Sequence, residues 1–519
     1  MRGVETVLFL VVVATVVATF ANRLRVPAPS LLVVAGIVVG LLPGVPAIQV
    51  TPDIISLIVL PPLLFAAGEE LPWRDLRAVA RPVAALSVGL VLLSAAAVVG
   101  IVVAVTPMPV GMAFVLGAML ASTDPVAVTA LARRLALPPR VQALIQAESL
   151  FNDATSLLLF RVALFMAVAG GAASWGKTLS EFAVLAGGGL VIGVLTAAGA
   201  FLIRRRTEDP VLETVVALVT PYAGYVLAES FGGSGVTAVV IASVLLGTQA
   251  ERLTTARIRL QVGAVYETVV FLLESVVFGL IGLQLPALVR RLAGTGAWWL
   301  LQAVAIAATL MLVRLLLVFV LSALRQRRGG ERPSWQVPAV VSWAGARGVV
   351  PLAAALSLPV AALDGSALPS RDLVLLLTTA VIVITLVVQG FTLAPLVRRA
   401  GIALDPADIR HEQSRARLAI AEAGLSHLEH IAETESAPGF VVDQLRSSWQ
   451  ARIDRIRLDD DVEETEVSRY SGYPALRREI LDVEAAELTR LFESDAITDA
   501  TRRRIQRILD LEHAGLGDD

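Results

Sequence analysis

The sequence predicts an all-α membrane protein of about thirteen transmembrane helices followed by a helical cytoplasmic tail. Three observations carry that reading. The 519-residue chain is 56% hydrophobic, and its mean hydropathy of +0.74 lies far above that of soluble globular proteins. Thirteen apolar segments are separated by short polar connections. Arginine crowds onto every second connection, the charge pattern of a multi-span protein.

The segments run roughly 4–21, 29–46, 53–71, 82–106, 109–132, 141–169, 179–203, 211–231, 234–250, 262–289, 296–324, 336–362 and 371–397. The first follows Arg2 and Glu5 without a small-residue cleavage site and reads as a span, not a signal peptide. The short segments hold Gly and Pro, as interrupted or tilted spans do. Connections after odd-numbered segments hold 20 arginines, from Arg23 and Arg25 to Arg398 and Arg399. The other side holds five basic residues: Arg2, Lys177, Arg290, Arg291 and Arg371. The N-terminus is therefore expected outside and the tail in the cytoplasm.

Charge divides the chain into two expected domains. Residues 1–404 carry 28 basic and 19 acidic side chains, residues 405–519 carry 15 and 26. In the tail, Gln444–Leu458 and Ala475–Phe492 show helical apolar spacing. The stretch Asp459-Asp460-Asp461 with Glu463, Glu464 and Glu466 is expected to break it as a solvated loop. The chain has no cysteine, which removes disulfide and thiol chemistry. All four histidines (His411, His427, His430, His513) lie in the tail, so an intramembrane proton carrier must be a carboxylate. Lys177 is the sole lysine, and the chain is read as free of a Walker motif, so no ATP-driven step is expected.

The polar groups inside the spans are few. Ala147-Glu148-Ser149-Leu150-Phe151-Asn152-Asp153 sets two carboxylates and an amide within segment 6. An ionised carboxylate there costs roughly 2.5–3.5 kcal/mol on insertion scales, so such residues must be paired, hydrated or used. Glu148 and Asn152 are i, i+4 and share one helical face; Ser149 and Asp153 lie on the adjacent strip. Segment 5 carries Ser122-Thr123-Asp124-Pro125, where Pro125 lacks an N–H and disfavours helix at Asp124. An unwound cation-binding stretch is expected there. Segment 12 has a matching break, Gly345-Ala346-Arg347-Gly348-Val349-Val350-Pro351, with an arginine in place of the acid.

Segments 5 and 12 are an odd number of spans apart and so run in opposite directions. Two interrupted helices at matching places in two halves are the signature of an inverted-repeat transporter whose breaks cross near the midplane. Asp124 and Arg347 would there offset helix-end partial charges of opposite sign. Arg314, deep in segment 11, needs an acid. Glu148 is the preferred partner and Glu274 of segment 10 the runner-up. Glu267 and Glu274 share a face, and with Glu213 and Glu229 of segment 8 they read as helix-end or bundle-facing acids. Arg161, two turns beyond Asp153, is expected to snorkel toward an interface.

Four motifs, in this order, resemble the monovalent cation/proton antiporters, the sodium/proton exchanger family. They are Leu60-Pro61-Pro62-Leu63-Leu64-Phe65, Ser122-Thr123-Asp124-Pro125-Val126-Ala127-Val128, Glu148-Ser149-Leu150-Phe151-Asn152-Asp153 and Gly345-Ala346-Arg347-Gly348. The resemblance covers the membrane domain. It implies that Asp153 is the main ion-binding and proton-carrying carboxylate, that Asp124, Thr123 and Ser149 help form the cation (Na+) site, and that Asn152 is the amide associated with electroneutral exchange. Glu148 and Arg314 match the family's structural ion pair. Many members carry an acid where this chain has Ala66, with Glu69 and Glu70 following nearby.

The chemistry agrees. A hard monovalent cation wants several oxygens, and in a low-dielectric surround a carboxylate holds its proton more tightly. The same oxygens can then carry a proton or a cation in turn. The expected activity is exchange of Na+, or alternatively K+ (or Li+), for protons across a bacterial-type plasma membrane, serving pH and sodium homeostasis. The expected partners are these ions, membrane lipid and, by resemblance, a second copy in a homodimer. No cofactor, nucleic acid or enzymatic reaction is expected. A cation channel and an intramembrane diaspartyl protease (Asp124 with Asp153) are the competing classes. Flux without pH change would favour the first, peptide cleavage the second.

Overall fold

A computed structural model describes residues 12–13, 15–17, 19, 28–42, 55–71, 73–124, 137–168, 175–207, 209–249, 255–292, 298–328, 334–359, 361, 368–434, 438–461, 472–494 and 499–515. The chain divides into two compact units, Met1–Ala403 and Leu404–Asp519. Most of the first segment, and Pro125 to Val128, lie outside the described residues.

Every segment from the second to the thirteenth contains helix. In order they are α1 (Ala28–Leu41), α2 (Leu60–Glu69, entered through a wide π-helical turn at Ile55–Val59) and α3 (Trp73–Val105). Then follow α4 (Val110–Leu120), α5 (Pro139–Val168), α6 (Trp175–Arg204), α7 (Pro210–Ser230) and α8 (Gly235–Gly247). The last are α9 (Ala256–Arg291), α10 (Trp298–Arg328), α11 (Gln336–Trp343), α12 (Val349–Leu356) and α13 (Arg371–Ala400). Among the described residues seven helices are long and apolar enough to cross a membrane, with four shorter apolar ones beside them. The shortness has local causes: α4 stops at an unwound stretch, and α11 and α12 are one segment split by another.

In a bilayer each backbone polar group needs a protein partner, and the helix starts show how this is met. Asp209 accepts from the Val211 and Leu212 N–H groups ahead of α7, and Ser234 accepts from Thr237 N–H ahead of α8. Helix α3 starts earlier than segment 4, at Trp73. Its first turns bury Leu76, Val79 and Val83 on one side while Arg74, Arg77 and Arg81 stay exposed. That two-faced pattern keeps helix outside the continuous apolar run.

The second unit holds α14 (Pro406–Thr434), α15 (Gly439–Asp461), α16 (Gly472–Glu493) and α17 (Asp499–Gly515). The loop expected at Asp459-Asp460-Asp461 is corrected: these residues complete α15. Helix α15 packs along α14, and a helix already nucleated extends through further residues at little cost. Glu463, Glu464 and Glu466 lie outside the described residues.

Candidate functional site

The site forms where the two broken helices meet. After α4 the backbone leaves helix at Ser122, Thr123 and Asp124; between α11 and α12 it leaves helix from Ala344 to Gly348. The two stretches bond directly: Asp124 N–H donates to the Ala346 carbonyl at 2.7 Å. Each break then supplies a cap for the other helix. Asp124 Oδ2 accepts from Val349 N–H at 3.1 Å, at the N-terminus of α12. Arg347 Nε donates to the Leu120 carbonyl at 3.0 Å, at the C-terminus of α4. An acid faces the positive end of one helix and an arginine the negative end of the other, which offsets the partial charges gathered there. Glycine is required at the crossing. A Cβ on Gly348 would overlap the Asp124 carboxylate, and one on Gly345 would press on the Arg314 guanidinium.

Helix α5 supplies the polar stripe. Glu148 is held in a bidentate pair with Arg314, NH1 to Oε1 at 2.8 Å and NH2 to Oε2 at 2.6 Å, both side chains 1% exposed. Arg314 also donates to the Val341 carbonyl from Nε and NH2. The planar guanidinium fork matches a carboxylate in this way. Of the two candidate acids for Arg314, the structure therefore brings Glu148 to it; Glu274 lies elsewhere.

Asn152 and Thr123 form a tight knot behind that pair. Asn152 Oδ1 accepts from Thr123 N–H at 3.0 Å, and its Nδ2 donates to Thr123 Oγ1 at 2.6 Å and to Glu148 Oε1 at 2.9 Å. Thr123 Oγ1 donates to Glu148 Oε1 at 3.2 Å, and Ser149 Oγ donates to the Thr123 carbonyl. Ser156, one turn beyond Asn152, donates to the Ala118 carbonyl at 2.7 Å and ties α5 to α4.

A cavity of about 700 Å3 opens onto this assembly. Asp124, Ser149 and Asp153 lie on its wall; Thr123, Asn152, Glu148, Arg314 and Arg347 do not. Asp153 is 6% exposed, and its Oδ1 is buried without a hydrogen-bond partner. A buried oxygen of this kind is costly unless a proton or cation meets it. The donor set therefore fits a monovalent cation as cargo: two carboxylates and a hydroxyl around one space.

Sequence reasoning missed several contributors. Glu69, Glu70, Glu267 and Glu274 also line the cavity, so of the two readings of Glu267 and Glu274, helix-end or bundle-facing, the structure fits the second. Ala66 lines it too, and Glu69 pairs with Arg204 at 3.2 Å. Glu213, wholly buried, faces Arg204 at 3.8 Å. Thr385 accepts from Arg347 N–H, and nothing in its apolar neighbourhood signals that. Ser156 did have a signal, since it continues the i, i+4 stripe. Arg161, expected to snorkel toward an interface, is one-third exposed and pairs with Glu229 at 2.5 Å.

The reading of a chain without a Walker pattern is also corrected. Gly171 to Thr178 spells Gly-x-x-x-x-Gly-Lys-Thr. That pattern cradles phosphate when a strand leads into it and a helix leaves it. Here helix α5 ends just before it and α6 begins inside it, at Trp175. The described residues on either side are helical, so the context that gives the pattern its chemistry is lacking.

Comparison with known proteins follows this geometry. Residues 10–399 match the family model described as sodium/hydrogen exchanger, transmembrane. A Mycobacterium tuberculosis protein named an uncharacterized Na+/H+ exchanger is 32% identical over 535 residues, covering 99% of this chain and 96% of that one. A Na+/H+ antiporter of Aphanothece halophytica is 31% identical over 483 residues, 92% of this chain and 88% of the relative. The solved structure of a sodium proton antiporter from Methanocaldococcus jannaschii superposes with a TM-score of 0.62 at 20% identity, covering 77% of this chain and 99% of that chain. This last likeness establishes the fold.

Proposed function

The chain belongs to the sodium/hydrogen exchanger family, and from that premise we propose that it exchanges a monovalent cation, Na+ first, for protons at Asp153 and Asp124. The observation that carries the reading is the placement of Asp124, Ser149 and Asp153 on one cavity wall while Glu148 is neutralised by Arg314. Glu148 is thereby removed from the set of exchangeable carboxylates. Asp124 is engaged as the cap of α12. Asp153, with an oxygen lacking a protein partner, is left to hold a proton or a cation in turn.

Competition for one site, exposed to each side alternately, couples the two fluxes without ATP. One carboxylate carrying one proton or one cation makes the exchange one for one and electroneutral. Thr123 and Asn152 act from behind the site: their hydrogen bonds to each other and to Glu148 fix the Thr123 carbonyl and the α5 stripe. Orientation follows from the arginine bias, with the N-terminus outside and the tail cytoplasmic, in a plasma membrane. The oligomer we propose is a homodimer, on the family resemblance.

The test is reconstitution into liposomes holding a pH dye, with Na+, K+ and Li+ added in turn. Sodium should drive a pH change that Asp153→Asn abolishes while the variant elutes as a folded protein. Asparagine keeps the shape and removes the titrating oxygen. Normal pH-coupled flux in Asp153→Asn would overturn the assignment.

A further inference from the structure

A second cavity, of about 450 Å3, lies beyond the site from the first. Three helices run past both cavities, end to end. On α5, Gln146, Ser149 and Asp153 face the first, and Leu157, Phe160 and Arg161 the second. On α12, Val349 and Val350 face the first, and Ala353, Ala354 and Ser357 the second. Leu60, 3% exposed, belongs to both walls. The cavities are therefore back to back, and the carboxylates open only to the first.

Both cavities have α5 and α12 on one side. The first lies between α5 with α12 and α2 with α9; the second lies between α5 with α12 and α7 with α8. Helix α5 packs mainly on α3 and α4, with smaller contacts to α6 and α8, while α7 packs on α6, α8, α9 and α2 and has little direct packing on α5. Among the described residues, Arg161 pairs with Glu229 there at 2.5 Å, both side chains about one-third exposed at 33% and 32%. Glu229 Oε1 also accepts from Gly235 N–H at 2.9 Å, so it is anchored to the turn that starts α8.

We propose that the Arg161–Glu229 pair is a latch that closes the second cavity and must part in every transport cycle. This makes the two residues positioning residues for the exchange, a reading that rests on the antiport proposed above. The ion at Asp153 reaches the second cavity only if α5 and α12 move relative to α7 and α8. That movement separates Arg161 from Glu229, because the two side chains sit on opposite walls. A partly exposed pair suits such a latch, since screening by water holds it weakly enough to open, while the anchored Glu229 keeps it specific in register.

The chain has no native cysteine, so Arg161→Cys with Glu229→Cys can be joined cleanly by a bifunctional methanethiosulfonate reagent and released by reductant. Sodium-driven pH change is measured in proteoliposomes before joining, after joining and after reduction. Activity before joining tests the antiport reading separately, with the unsubstituted chain beside it. The latch predicts a loss of about tenfold or more on joining, restored by reductant. A joined protein that exchanges at the unjoined rate overturns the proposal. Should the double variant fail to fold or to exchange, Ala354→Cys, on the second cavity wall, decides. Its labelling by a maleimide should quicken by roughly fivefold when Arg161→Gln is added, and likewise with Glu229→Gln, which keeps an acceptor for Gly235. Unchanged labelling in both overturns the latch.

Discussion

Replacing one member of the Glu148–Arg314 pair should strand a charge in the core of the membrane unit. Both side chains are 1% exposed, and the carboxylate receives four side-chain hydrogen bonds: two from Arg314, one from Asn152 and one from Thr123. Glu148→Gln keeps the shape and an acceptor but leaves the guanidinium uncompensated, which costs about 3–5 kcal/mol. Arg314→Met leaves the carboxylate uncompensated at a similar cost, and it also strips the Val341 carbonyl of both its Arg314 donors, adding about 1–3 kcal/mol. The double variant has no stranded charge but still lacks the Val341 contact. It should therefore recover about 2–3 kcal/mol relative to the sum of the singles, and should not return to the starting stability. The assay is unfolding of each purified variant in mixed micelles with increasing SDS, followed by loss of helical signal. Defects that simply add would show that the two charges are not energetically partnered, whatever their distance.

Three further outcomes are expected. Gly348→Ala should mimic Asp124→Asn, lowering cation affinity in the liposome assay, because the new methyl displaces the Asp124 carboxylate; an unimpaired Gly348→Ala would argue against Asp124 as a cation ligand. Asn152→Ala removes three buried hydrogen bonds and should destabilise by about 2–3 kcal/mol, a loss visible in thermal unfolding; a fully stable variant would contradict its supporting role. Sodium–proton exchange should ignore a valinomycin-clamped potassium potential, and a rate or end-point that shifts with voltage would mean that a second carboxylate carries a proton.

Much of this protein was legible one residue at a time. The bilayer makes the cost of each polar group large and local, so apolar runs, arginine bias and the few intramembrane charges can be read directly from the chain. Spacing alone put Glu148 with Asn152 and Ser149 with Asp153, and Pro125 with the glycines of segment 12 marked where helix would fail. The Asp459–Asp461 run shows the limit of the same method, since an established helix propagates through residues that local composition marks as a loop.

What only the tertiary structure decided is which groups meet. The polar stripe already favoured Glu148 over Glu274 as the answer to Arg314; helix packing put Glu148 2.6 Å from it and left Glu274 on the cavity wall. Thr123 and Asn152 carry oxygens suited to a cation, yet their hydrogen bonds are spent on each other and on Glu148. Arg161 and Glu229, 68 positions apart, share no periodic signal at all. Periodicity is a property of one helix, and it states which face a side chain occupies. The choice of partner depends on the angle and depth at which separate helices pack, a quantity summed over the whole bundle.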